Sequence, residues 1–222
     1  MEFFCAAITE NGFFDGFSEV FNEKRLRRLY VIKGASGVGK STLMRKIANE
    51  GERRGLMVDH IYCSSDPKSL DGAVVGDIGI IDGTPPHTYE PKMAGAFETL
   101  VDLGRFWDSD KLSPYRDELF ELAERKREAF SRIYELMAIY GHTAALLNGE
   151  LSAMYDRTKV RNYIHSLVNR KLSKGAHGES RMRIFSASLG DVILPAHEKQ
   201  YRLDAESGFA SLFLGELLAA LK

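Results

Sequence analysis

Five strand-forming residues, Leu29-Tyr30-Val31-Ile32-Lys33, run straight into Gly34-Ala35-Ser36-Gly37-Val38-Gly39-Lys40-Ser41-Thr42, and this junction constrains the chain more than any other stretch. Behind it, Leu43, Met44, Ile47 and Ala48 recur at helical spacing and share one face. A strand, a glycine-rich turn and the helix it opens fit the phosphate-cradling pattern G-x-x-x-x-G-K-S/T in the context that pattern requires. The residue types answer to the chemistry. Gly34, Gly37 and Gly39 admit backbone conformations closed to other residues and bring N–H groups close to an anion. Those N–H groups, with the positive end of the following helix, make a cradle for phosphate. Lys40 is placed to reach the β- and γ-phosphates of a nucleotide, and Ser41 to offer its hydroxyl to Mg²⁺. The expected binding set is therefore Gly34, Ala35, Ser36, Gly37, Val38, Gly39, Lys40, Ser41 and Thr42.

With 222 residues, the chain is long enough for one large domain or one domain carrying an insertion. A net charge of −1 argues against a purely electrostatic nucleic-acid binder. No apolar run approaches the roughly 18 residues that cross a bilayer, and Met1-Glu2-Phe3-Phe4-Cys5 lacks the basic start of a signal peptide. Cys5 and Cys63 have neither metal-like spacing nor the density of a disulfide scaffold. These features lead to the expectation of a cytoplasmic protein with no membrane partner.

Several further elements are expected. Residues 3–8 form an apolar run of strand length. Residues 15–29 read as an amphipathic helix with Phe17, Val20, Phe21 and Leu26 inward, and with Lys24, Arg25, Arg27 and Arg28 suiting its carboxyl end. A second strand covers 56–63 and ends in Ser64-Ser65-Asp66-Pro67. A third covers 78–82 and ends in Gly83-Thr84-Pro85-Pro86-His87. Strands alternating with helices imply an open, mainly parallel α/β sheet, whose ligands bind at the carboxyl ends of the strands. Asp66, Asp82 and His87 all follow strand ends, on the same edge as the glycine-rich turn. Asp82 closes an apolar strand, where an acidic residue holds Mg²⁺ opposite the loop's serine. Gly83, and not a glutamate, follows it. Asp66 and His87 are candidates for a base or a substrate contact, and an Asp-Pro turn is the structural alternative for Asp66. His60, inside a strand, reads as structural.

From residue 108 the pattern changes. Ser113-Pro114 suits a helix start. Leu119, Leu122, Phe130, Ile133, Met137, Tyr140, Ala144 and Leu147 then recur at three- and four-residue intervals. A turn at Asn148-Gly149 and a second helix through Leu151, Tyr155, Ile164, Leu167, Val168 and Leu172 suggest an inserted helical hairpin. Its roles are packing, a lid over nucleotide, or an arm for a protein partner. Further strands are expected at 181–188 and 200–204, with a closing helix at about 207–221. The expected domains are a nucleotide-binding core, 1–107 with 179–222, and a hairpin insertion, 108–178. Residues 201–219 also align without gaps on 30–48, matching at Tyr, Ser, Gly, Leu and Ala. That is either a degenerate internal copy or a chance likeness of two strand–turn–helix units.

The strings HIYCSSDPKSLDG, IIDGTPPHTYEPKMAGA and LGRFWDSDKL, with Phe3-Phe4 through Gly12-Phe13 and the glycine-rich loop, resemble a poorly characterised bacterial family of predicted P-loop ATPases. Its members typically carry two tandem copies of the domain. The resemblance covers roughly residues 1–112, is closest to the first copy, and is thin across the helical hairpin. It implies a P-loop NTPase-like fold, ATP and Mg²⁺ as ligands, and nucleotide binding or hydrolysis with no established substrate. The expected function is an ATP–Mg²⁺-binding protein that couples binding or slow hydrolysis to conformational change. Lys40 and Asp82 would carry the chemistry. A small-molecule or nucleotide kinase, with Asp66 or His87 at the acceptor, and a nucleotide-sensing interaction module are the alternatives.

Overall fold

A computed structural model describes residues 2–86, 88–171 and 209–221. In chain order the strands are β1 (Glu2–Phe4), β2 (Ala6–Thr9), β3 (Gly12–Asp15), β4 (Arg28–Lys33), β5 (Val58–Tyr62), β6 (Leu70–Val75), β7 (Ile78–Asp82) and β8 (Glu98–Asp102). The helices are α1 (Phe17–Val20), α2 (Lys40–Arg53), α3 (Ser109–Leu112), α4 (Arg116–Met154), α5 (Arg157–Lys171) and α6 (Ala210–Ala220). The described chain falls into two compact units that part between Arg132 and Ile133.

In the first unit, six strands form one sheet in the order β1-β5-β6-β7-β4-β8. The pairs β1/β5, β4/β7 and β4/β8 are parallel, and only β6 runs against its neighbours β5 and β7. The expected α/β class with a mostly parallel sheet is therefore what the chain adopts. Side chains alternate across it, as period-2 strands demand. Leu29, Val31, Ile61 and Ile81 join Phe3, Phe17, Phe21 and Leu26 in one buried cluster. Ile32, Leu70 and Ile80 pack with Met44 of α2, and Ala48 of α2 packs with Val58 and Ala73. Met44 and Ala48, with Leu43 partly buried beside them, lie on the sheet as foreseen for the helix after the glycine-rich loop, whereas Ile47 stays exposed; this packing fixes the loop at the sheet's carboxyl edge.

Four expectations need correction. The run at 3–8 breaks at Cys5: β1 enters the large sheet, while β2 pairs with β3 in a separate hairpin. The carbonyl of Cys5 accepts from Gly16 N at 2.9 Å, so the chain turns there and does not extend. The helix expected at 15–29 is the single turn α1. Asn22 stops it: its Nδ2 donates to the carbonyls of Ser18 (3.2 Å) and Glu19 (2.9 Å), and its Oδ1 accepts from Lys24 N (3.1 Å). An asparagine that satisfies backbone groups outside helical geometry ends a helix. The sequence also implied only two strands after α2 and before the hairpin, whereas β6 and β8 are present as well.

The fourth correction concerns the helical segment. The turn expected at Asn148-Gly149 is absent, and α4 continues through it to Met154. The break comes at Asp156, whose Oδ1 accepts from Lys159 N at 3.0 Å and caps α5. In this second unit α5 packs on α6, burying Ile164 completely. Arg161 Nε meets Glu216 Oε2 at 2.7 Å, and Tyr155 stacks on Phe209 with ring centroids 5.9 Å apart. The helix expected near 207–221 is this α6. The strands expected at 181–188 and 200–204 lie outside the described residues, as do residues 201–208 of the internal echo and the boundary at 178–179. Among the described residues, no helix is long and apolar enough to cross a membrane.

Candidate functional site

Parallel pairing of β4 with β7 sets Ile32 opposite Asp82 and brings the two carboxyl ends together. Gly83 N donates to Ile32 O at 2.9 Å, closing that edge. Beyond β4 the glycine-rich loop turns through three left-handed residues, Gly34, Gly37 and Gly39, with φ of +148°, +82° and +94°. At Gly37 and Gly39 a β-carbon would meet open space, so dihedral angle alone selects glycine there. At Gly34 space matters too, since a β-carbon would stand 2.8 Å from Val38 Cγ1. Gly39 caps α2 with no side-chain bond to its first turn. The leading N–H groups of the helix are therefore not engaged by a capping side chain, the condition under which a helix start attracts an anion.

Lys40 is buried and turns back over this loop. Its Nζ donates to Gly34 O at 2.6 Å and Ala35 O at 2.9 Å, and stands 3.6 Å from Asp82 Oδ2. The second oxygen of Asp82 is fixed from the other side: Oδ1 accepts from Thr84 N (2.9 Å) and Thr84 Oγ1 (2.6 Å). Ser41 Oγ accepts from Leu70 N at 2.8 Å, which ties the first turn of α2 to the start of β6. The structure therefore gathers the glycines, Lys40, Ser41 and Asp82 at one edge. Asp82 Oδ2 and Ser41 Oγ are hard oxygen donors, the kind that Mg²⁺ takes. A cation bound through so few side chains completes its octahedron with phosphate oxygens and water.

Asp66 behaves differently. It is exposed, its Oδ1 accepts from Lys68 N (3.1 Å), and its carbonyl accepts from Ser69 N (2.9 Å), the closed turn that an Asp-Pro pair favours. Its loop does reach α2, because Arg45 donates to Lys68 O at 2.6 Å. His87 lies outside the described residues. His60 is buried in β5 with Nε2 2.9 Å from Glu52 Oε1, a packing role as expected. Burial, with Asp71 adding to it, pushes the Cys63 thiol up to about 11, and burial pushes Cys5 up to about 12. Both stay neutral thiols near pH 7, a poor state for a nucleophile or a metal ligand.

Two residues that hold the loop after Asp82 escaped the sequence reading. Lys33, the last residue of β4, donates through Nζ to Gly83 O (2.8 Å), Tyr89 O (2.9 Å) and Glu90 Oε1 (3.0 Å). Glu98, opening β8 in full burial, accepts from Met93 N (2.9 Å), Lys92 N (3.2 Å) and Tyr89 Oη (3.1 Å). Burial alone would raise the Glu98 carboxyl, but these donors outweigh it and leave it below the usual carboxylate range. Burial and the nearby Glu98 carboxylate in turn push the Tyr89 phenol up to about 12. Lysine at a strand end and glutamate before an apolar run are too common to have signalled these clamps.

Gly83 also has a steric explanation. A β-carbon there would stand 2.5 Å from Val31 Cγ1 and 3.2 Å from Lys33 Cε, so the position directly after Asp82 has no room for a side chain. No protein-family model, no curated protein and no solved structure matches the chain.

Proposed function

We propose that the chain is a P-loop protein that binds ATP with Mg²⁺ and couples binding, or slow hydrolysis, to conformational change. The observation that carries this reading is the convergence of a buried Lys40 and the Asp82 carboxylate, 3.6 Å apart, on a loop with three left-handed glycines. An incoming triphosphate tail would replace the Gly34 and Ala35 carbonyls as partner of Lys40 Nζ and take the N–H groups at the start of α2. Ser41 Oγ and Asp82 Oδ2 would hold Mg²⁺, which when bound neutralises charge on the β- and γ-phosphate oxygens. Thr84 keeps Asp82 Oδ1 occupied, which would leave Oδ2 for the metal.

Slow turnover is proposed because the site offers positioning and charge without a group to activate water at residue 83. ATP is preferred over other triphosphates because of the family resemblance. The test is a nucleotide panel on the whole protein, scored by thermal shift and by phosphate release with and without Mg²⁺. Mg²⁺-dependent stabilisation by nucleoside triphosphates supports the reading, and its absence for every nucleotide sinks it.

One observation favours the sensing module as a second reading. In the second unit, Ile133, Met137, Tyr140, Ala144, Leu147 and Leu151 recur at alternating steps of four and three along α4, which buries none of its residues. Such a seam suits a second copy of the same helix. Light scattering with and without Mg-ATP distinguishes the readings, because a sensor changes its oligomeric state with nucleotide while turnover stays negligible.

A further inference from the structure

The string LGRFWDSDKL has no part in the phosphate chemistry, yet the fold sets its first residues against the glycine-rich loop. β7 and β8 flank β4 on opposite sides, so Asp82 occupies one side of the loop and the exit of β8 the other. Lys33 is paired with Asp102, and Leu103 N donates to Lys33 O at 2.9 Å. A β-carbon on Gly34 would lie 3.5 Å from Leu103 Cβ and 3.6 Å from Gly104 N. The chain then makes a short 3-10 turn, Gly104–Phe106, that is held at each step. Asp102 Oδ1 accepts from Gly104 N (2.8 Å), Leu103 O from Phe106 N (3.2 Å) and Gly104 O from Trp107 N (3.0 Å). From this fixed turn two large rings project into solvent: Phe106 is 74% exposed and Trp107 is 45% exposed. The Arg105 guanidinium lies 5.6 Å from the Phe106 ring centroid and pairs with its π face.

Two exposed aromatic rings carried on a hydrogen-bonded turn beside an anion cradle suit a planar heterocycle attached to a phosphate chain. We infer that the Gly104–Phe106 turn and Trp107 form the nucleobase platform of this site. With its terminal phosphates toward Lys40 and Asp82, the nucleotide leaves the cradle on the β8 side and lays its purine against Phe106 and Trp107. The inference rests on the phosphate-cradle reading above. Stacking acts through the π face and not through the base edge, so the platform favours purines without separating adenine from guanine.

The test uses the whole protein and two ligands, Mg-ATP and Mg-tripolyphosphate, the second carrying the phosphates without a base. Trp107 is the only tryptophan in the chain and so reports directly on its own ring. ATP is expected to shift or quench Trp107 emission, whereas tripolyphosphate competes with ATP and leaves the emission unchanged. By calorimetry, Phe106→Ala and Trp107→Ala should each weaken ATP about tenfold, with tripolyphosphate affinity unaltered, and Trp107→Phe should restore most of the loss. Circular dichroism melts establish that the variants are folded, and equal tripolyphosphate binding shows that the cradle is intact. If ATP binds no more tightly than tripolyphosphate, or both alanine variants bind ATP as the natural chain does, the platform is refuted while the cradle stands. If neither ligand binds the natural chain, the cradle reading fails and takes the platform with it.

Discussion

Lys40 Nζ holds the carbonyl oxygens of its own loop, at Gly34 and Ala35, while standing 3.6 Å from Asp82 Oδ2. Both side chains are nearly out of solvent, at 10% and 15% exposure. The lysine charge is thus met by one carboxylate and two carbonyl dipoles, and in the proposed reading a phosphate group would take the place of the two carbonyls. Lys40→Ala should cost about 1.5–3 kcal/mol of triphosphate affinity, the usual range for hydrogen bonds to a charged group. Isothermal calorimetry measures it directly. Undiminished ATP affinity would refute the role given to Lys40.

The carboxylate has a separate signature. Asp82→Asn keeps the Thr84 bonds to one oxygen and removes the charge, so the fold should persist while the Mg²⁺ requirement for nucleotide binding weakens about tenfold or more, roughly 1.4 kcal/mol. Thr84→Val removes the 2.6 Å hydroxyl bond but not the 2.9 Å backbone bond to Oδ1. It should therefore show the same effect at smaller size, about 1 kcal/mol. Mg²⁺ titrations of nucleotide binding rank the two. An unaltered metal response in Asp82→Asn would mean that another residue holds the ion.

Gly83 tests whether the missing glutamate is a matter of space. Gly83→Ala places a β-carbon against Val31 Cγ1, in the core of the sheet beside Asp82. Overpacking of this kind costs about 1–3 kcal/mol. Urea unfolding gives the figure, and a variant as stable as the natural chain would show that Val31 moves aside freely.

How far these features could be read beforehand depended on whether the signal was local. The β4–loop–α2 unit was legible because strand, glycines, lysine and the apolar face of Met44 and Ala48 are contiguous, and each specifies the same geometry. Asp82 was legible because its strand is apolar to its last residue. β6 was not: Gly72 interrupts Leu70-Asp71-Gly72-Ala73-Val74-Val75 and reads as a turn. It sits inside the strand because a β-carbon there would stand 2.5 Å from Phe21 Cζ, a residue 51 positions earlier. Yet the Gly76-Asp77 pair between Val75 and Ile78 is a two-residue hairpin signal, with Gly76 at φ +60°, and would have identified β6 as antiparallel. The end of α1 was also written locally, in Asn22, but basic residues beyond it imitate the carboxyl end of a longer helix. The clamps by Lys33 and Glu98 were not legible, because their partners are carbonyl and N–H groups that only the folded loop presents.

Glu98 gives the pH-dependent prediction. Its carboxyl is depressed in the folded protein by donors from Met93, Lys92 and Tyr89 that outweigh its burial. A depressed carboxyl stabilises the fold at any pH above its unfolded value of about 4.3, and that contribution disappears as pH falls through the lower folded value. Glu98→Gln places an amide N–H against donors that now face carboxylate oxygen. It should therefore destabilise the protein by about 1.5–3 kcal/mol at pH 7. As pH falls below the unfolded value and on through the lower folded value, the natural chain progressively loses this contribution and the difference should shrink. Urea denaturation of both proteins at pH 7, 5 and 3 makes the comparison. A gap of the same size at every pH would show that the Glu98 charge does not hold the loop, and that its shape alone does.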